Sequence, residues 1–151
     1  MPHFTLVRRT AAPPEAVFEA FTNHRAYPGY TPFRKAELEK EGEPAPNGVG
    51  AIRVLHAVGP ALREEVVEYD APTRFVYRLL SGAPLRDHVG TVLIEPTEVD
   101  GRPGSRVVYA VDTTPTVPIG RGAVVAISKL AVKGLLDGCV KEAERRAGVA
   151  A

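Results

Sequence analysis

The order in which strand and helix patterns follow one another constrains this chain more than any single motif. Met1 to Arg9 alternates as a strand does, and Pro13 to Asn23 carries Val17, Phe18 and Phe21 at helical spacing. From Glu37 to Asp112 there are about six strand-like runs and no second good helix, and Ile119 to Ala147 is then helical. Strands this numerous and closely spaced pair antiparallel, because parallel pairing needs long crossovers. The pattern predicts an α+β fold: a curved antiparallel sheet of six to seven strands wrapped around a long C-terminal helix. A bent sheet and a helix leave space between them, which is where such a fold holds a ligand.

Turn chemistry separates the runs. Asn47-Gly48, Gly59-Pro60, Asp70-Ala71-Pro72-Thr73 and Gly82-Ala83-Pro84 fall between strands, and Asp100-Gly101-Arg102-Pro103-Gly104 forms the last tip. Phe33 to Glu41 has a heavily charged face and reads as an edge strand protected by charge. In the final helix, Val124, Ile127, Leu130, Ala131, Leu135 and Cys139 are expected on the buried face, with Lys129 and Lys133 outside. Thr116 is a candidate cap. Gly134 and Gly138 are poor helix formers, which points either to close packing of helix on sheet or to room for a ligand.

Length and composition exclude several classes. A chain of 151 residues with 44% hydrophobic and 25% charged residues is expected to fold as a single domain, 1–151. A net charge of +1 with dispersed Lys and Arg argues against nucleic acid as a partner. No apolar run approaches the ~18 residues of a membrane span, so no stable membrane insertion is expected. The lone Cys139 fits a reducing, cytoplasmic setting. The four histidines lack zinc-like spacing, and no nucleophile elbow, zincin motif or P-loop occurs, so no metal and no cofactor are expected. A homodimer is left open.

Several stretches, in order, resemble one family. Pro14-Glu15-Ala16-Val17-Phe18 follows the first strand, and Asn23-x-x-x-Tyr27-Pro28 ends the first helix. Gly48-Val49-Gly50-Ala51-Ile52-Arg53 enters a strand, and Arg63-Glu64 precedes Val66-Val67-Glu68-Tyr69-Asp70-Ala71-Pro72. Tyr77-Arg78, His88-x-Gly90-x-Val92 and Gly104-Ser105-Arg106-Val107 complete the set, which spans Phe4 to Arg146. The chain resembles the START-like superfamily of polyketide cyclases/dehydrases and lipid-transport proteins, with its helix-grip fold. The resemblance implies an internal cavity for a hydrophobic or aromatic small molecule, a lipid, polyketide or quinone-like compound. The alternatives are a cofactor-free polyketide cyclase or dehydratase, and an interaction protein associated with ribosome or membrane.

Five residues are candidates for the site. A hairpin turning at Gly59-Pro60 sets Arg53 and Glu64 at or near opposing positions, either as a charged pair inside the cavity or as a solvated pair on the convex face. Tyr77 and Tyr109 lie inside strands, either packing in the core or contacting ligand. His88 is either an exposed strand-end residue or a hydrogen-bonding or acid–base group. In a cyclase, His88 or Tyr77 would transfer protons and Arg53 would stabilise an enolate.

Overall fold

The computed structural model describes residues 3–149, so Met1 of the expected first strand lies outside the described residues. The chain runs β1 (His3–Thr10), α1 (Pro14–Thr22), a 3-10 helix (His24–Gly29), β2 (Lys35–Lys40), β3 (Ile52–His56), β4 (Leu62–Asp70), β5 (Arg74–Ser81), β6 (Leu85–Val99), β7 (Arg102–Pro115) and α2 (Arg121–Ala147). The strands form one antiparallel sheet in the order β1-β7-β6-β5-β4-β3-β2. Consecutive strands from β2 to β7 are neighbours, as short turns require. β1 closes the far edge by pairing along β7 from His3↔Asp112 to Thr10↔Ser105.

Because β1 and β2 sit at opposite edges, the segment between them has to cross the sheet, and α1 with the 3-10 helix does so. Pro14 opens α1, where its missing N–H has no partner to lose. Pro28 lies inside the 3-10 helix, where a proline prevents regular α-helical continuation. Register shifts at Leu38/Lys40, Arg63/Glu64, Val66/Glu68 and Arg86/Val89 bend the strands. The longest hairpin, β6–β7, turns at Asp100-Gly101, both at positive φ (51° and 76°). The tip is therefore two residues, shorter than the five the sequence suggested. β2 exposes Lys35, Glu37, Glu39 and Lys40, as expected of an edge protected by charge.

Alternate residues of the sheet face inward. Phe75, Tyr77, Val92, Ile94, Val107, Tyr109 and Val111 pack against Val17, Phe18, Phe21 and Tyr27 and against Leu135, Leu136, Cys139 and Ala143 of α2. Arg8 ties β1 to α2 through Asp137 at 2.8 Å.

The final helix departs from its predicted face. Leu135 and Cys139 are buried, and Lys129 and Lys133 are exposed, as expected. Val124 is only half-buried, and Ile127, Leu130 and Ala131 are exposed. The buried face begins at Val132 and runs through Leu136, Val140 and Ala143. Apolar residues surround the first half of α2 on nearly every side, so helical spacing alone could not pick the buried stripe. The cap also differs. Gly120 at φ 77° precedes the helix, and Thr116 instead donates its backbone N–H to Pro84. Gly138 and Gly134 are close-packing sites, but the neighbour is the loop after the 3-10 helix rather than the sheet. A Cβ on Gly138 would lie 2.1 Å from the Tyr30 carbonyl oxygen, and one on Gly134 would lie 2.9 Å from Pro32.

Candidate functional site

The sheet register assembles a polar cluster inside the apolar core. Arg53 on β3 is the direct cross-strand partner of Glu64 on β4. Its Nε donates to Glu64 Oε1 at 2.8 Å, and a terminal nitrogen lies 2.7 Å from the same oxygen. The other terminal nitrogen donates to the Tyr27 hydroxyl at 3.1 Å, which in turn donates to the Phe21 carbonyl. Arg53 is 1% exposed and Glu64 5%, so the pair is not the solvated convex-face arrangement. Burying a charge this deeply costs several kcal/mol unless its hydrogen bonds are met. Three aromatic faces add to what the carboxylate supplies, with the guanidinium carbon 4.6 Å from the Tyr77 ring centre, 5.4 Å from Phe75 and 5.6 Å from Tyr27. Burial opposes the Arg53 charge, but the surrounding groups, Tyr27 and Glu64 foremost, hold its pKa above the ordinary value.

Tyr77 lies opposite Gly90 of β6. A Cβ on Gly90 would sit 2.3 Å from the Tyr77 ring, so the missing side chain is what lets that ring lie across β6. There its hydroxyl shares a hydrogen bond with that of Tyr109 on β7. Burial raises the pKa of both phenols, which keeps them protonated. His88, two residues before Gly90, is buried rather than exposed at a strand end. Its ring centre is 6.3 Å from that of Tyr77, and its Nδ1 and the Thr113 hydroxyl share a hydrogen bond of 2.9 Å. Burial lowers its pKa, against the opposing pull of Glu64. Arg53, Glu64, Tyr77, Tyr109 and His88 thus form one contiguous group: a fixed cation, its carboxylate, two neutral phenols and a neutral imidazole. Together they can donate several hydrogen bonds to carbonyl, enol or phenol oxygens and accept at least one.

Sequence reasoning missed one member. His24, at the start of the 3-10 helix, is fully buried, its ring centre 5.6 Å from Tyr27 and 5.8 Å from Phe75. Neither of its ring nitrogens has a hydrogen-bond partner. Burial, and then the charge on Arg53, lowers its pKa. No local spacing flags it, because Phe75 reaches it from a strand some fifty residues away in sequence.

Two surface grooves lie elsewhere. One, of about 390 Å³, runs between α1 and the end of α2 beside Glu15, Glu19 and Arg146. The other, of about 340 Å³, lies between α1 and Tyr69 with Pro72. Neither touches Arg53. Among the described residues, no group of His, Cys, Asp or Glu could hold a metal ion.

An antiparallel sheet gripping a long C-terminal helix over a buried polar cluster defines a helix-grip protein of the START-like class. The family described as "Polyketide cyclase / dehydrase and lipid transport" matches residues 1–148, and the chain belongs to that family. Among solved structures, it is similar to the ZhuI aromatase/cyclase of Streptomyces sp. R1128 at 19% identity and TM-score 0.74, covering 99% of each chain. It is also similar to a START superfamily protein from Mycobacterium smegmatis at 13% identity and TM-score 0.76, covering 97% of each chain. Ara h 8.0201 matches at 17% identity and TM-score 0.76, over 95% of this chain and 98% of that one. At these identities the likeness is one of fold. A search of curated proteins finds no match.

Proposed function

We propose that this protein binds an apolar or aromatic small molecule carrying oxygen substituents, such as a polyketide, quinone-like compound or lipid, between its sheet and α2. The observation that carries the reading is Arg53: a charged side chain 1% exposed in a core that hydrophobic residues could have filled. Around it, Tyr77, Tyr109, Glu64 and His88 would orient the oxygens, while burial of apolar ligand area supplies affinity. The family's own description, which names both cyclases and lipid transport, supports the same ligand class. A cytoplasmic setting belongs to this proposal, since Cys139 is a free buried thiol.

The second reading is a cofactor-free cyclase acting on a poly-ketone chain. It is favoured by His88, a neutral imidazole next to a phenol and near a fixed cation. Arg53 would stabilise an enolate oxygen, and His88 would take the proton as that charge forms.

Calorimetric titration of 1-naphthol against naphthalene tests the binding reading. The parent chain should bind 1-naphthol with one-to-one saturation and prefer it by about tenfold, the worth of one charge-assisted hydrogen bond. Arg53→Met with Glu64→Leu removes the pair without stranding either charge, and should bind both compounds equally. An equal preference in the parent, or an undiminished one in the double variant, would refute the role of the pair. In the same variant series, His88→Ala should leave naphthol binding within about tenfold under either reading. Only a cyclase would lose about 10²-fold or more in turnover of a linear poly-ketone.

A further inference from the structure

One end of the molecule combines projecting apolar side chains with unpaired cations. The β3–β4 and β5–β6 turns meet there, Gly82 packing against the Ala61 carbonyl. The approach to α2 joins them, Thr116 donating its backbone N–H to Pro84. Val58, at the tip of the β3–β4 turn, is 102% exposed, and Ile119, at the entrance to α2, is 87% exposed. Ile127 and Leu130 lie on one face of the first turns of α2, at 67% and 70%. Four large apolar side chains standing this far into solvent are not the scattered single residues of an ordinary surface.

The unpaired charges around them are mostly positive. Arg34, held at the β3–β4 turn by its hydrogen bond to the Ala57 carbonyl, Arg86 at the start of β6, and Arg121 and Lys129 on α2 are all exposed. Among the described residues, none of these four makes an ion pair. No Asp or Glu occurs from residue 113 to residue 136. Of the nearby acidic groups, Glu37 is already paired with His56 at 2.8 Å and with Lys35 at 3.7 Å, which leaves Asp87.

We propose that this end of the molecule docks reversibly on the surface of an anionic lipid bilayer. Apolar residues on separate protruding turns suit insertion between headgroups, and the surrounding cations suit the headgroup charge. A two-fold pairing with a second copy would bring one predominantly cationic patch against another, which disfavours that occupant. An acidic protein would match the charge, but would need a concave surface to receive four separate projections. No helix among the described residues is long and apolar enough to cross a membrane, so the contact is peripheral.

Co-sedimentation of the full chain with vesicles decides the matter. The chain should pellet with vesicles of phosphatidylglycerol and phosphatidylcholine, and poorly with phosphatidylcholine alone. High salt should weaken the binding. Ile127→Gln with Leu130→Gln should reduce it by about tenfold or more, and Lys129→Ala by about fivefold. Val49→Ser, on the β2–β3 connection at the opposite end of β3, should leave it unchanged. These side chains are exposed, so an unchanged thermal midpoint is expected of each variant. If one nonetheless unfolds, the lipid dependence of the parent chain still decides. A parent chain that ignores both vesicles, binds them equally, or retains full binding in the Ile127/Leu130 variant would overturn the proposal. The first outcome would turn attention to an acidic protein partner.

Discussion

At the scale of single residues, the core encloses the charged or polar side chains Arg53, Glu64, His24 and His88. Arg53 was legible in the sequence because its hairpin partner Glu64 is eleven residues away across a recognisable turn. His24 was not, because Phe75, which packs against it, and Arg53, whose charge acts on it, come from strands distant in sequence. Its two unbonded nitrogens make it costly in the neutral form, by about 1–3 kcal/mol for each unmet group, and costlier still if protonated beside Arg53. With its folded pKa below the ordinary value of 6.5, the unfolded chain binds the proton more readily. Its contribution is therefore fully present above about pH 6.5 and is lost as the pH falls below that value. His88, shifted the same way, adds to the slope. Urea unfolding at a series of pH values checks this. His24→Phe should flatten the decline between about pH 6.5 and 5 by up to about 1.4 kcal/mol per pH unit. Parallel curves for parent and variant would show that His24 does not titrate between the two states.

At the scale of elements, the strands were the readable part, because alternation has a period of two and each turn carries its own chemistry. Gly59-Pro60, Ala71-Pro72-Thr73 and Gly82-Ala83-Pro84 separate consecutive strands as their turn chemistry suggested. The long helix was readable in extent but not in orientation. Its first half offers Val124, Ile127, Leu130 and Ala131 as a plausible buried stripe, yet α1 and the loop after the 3-10 helix engage the second half. Gly138 is the point of closest approach. Gly138→Ala should cost about 1–3 kcal/mol in urea unfolding, because the group it would meet, the Tyr30 carbonyl, is backbone and cannot swing aside. Gly122→Ala, on the first turn of the same helix with open space around it, should instead stabilise by about 0.5–1 kcal/mol. Equal effects at the two positions would contradict the packing of α2 described above.

At the scale of the whole molecule, the topology explains why the polar cluster lies where it does. Opposite-edge placement of β1 and β2 sends α1 across the sheet, and α2 returns over it from β7. α1 then packs on the inward faces of β5 to β7, and α2 packs on α1, β1 and β7. A ligand held there would meet Tyr77 and Tyr109, whereas one held in the groove beside α1 would meet Tyr69. The chain has five tyrosines and no tryptophan, so ring-labelled tyrosine NMR reports on both places at once. Titration with 1-naphthol is the most direct measurement. Binding at the buried cluster predicts that the Tyr77 and Tyr109 signals shift together and saturate, while Tyr69 stays in place. Shifts confined to Tyr69, or none at any tyrosine under saturating ligand, would contradict it.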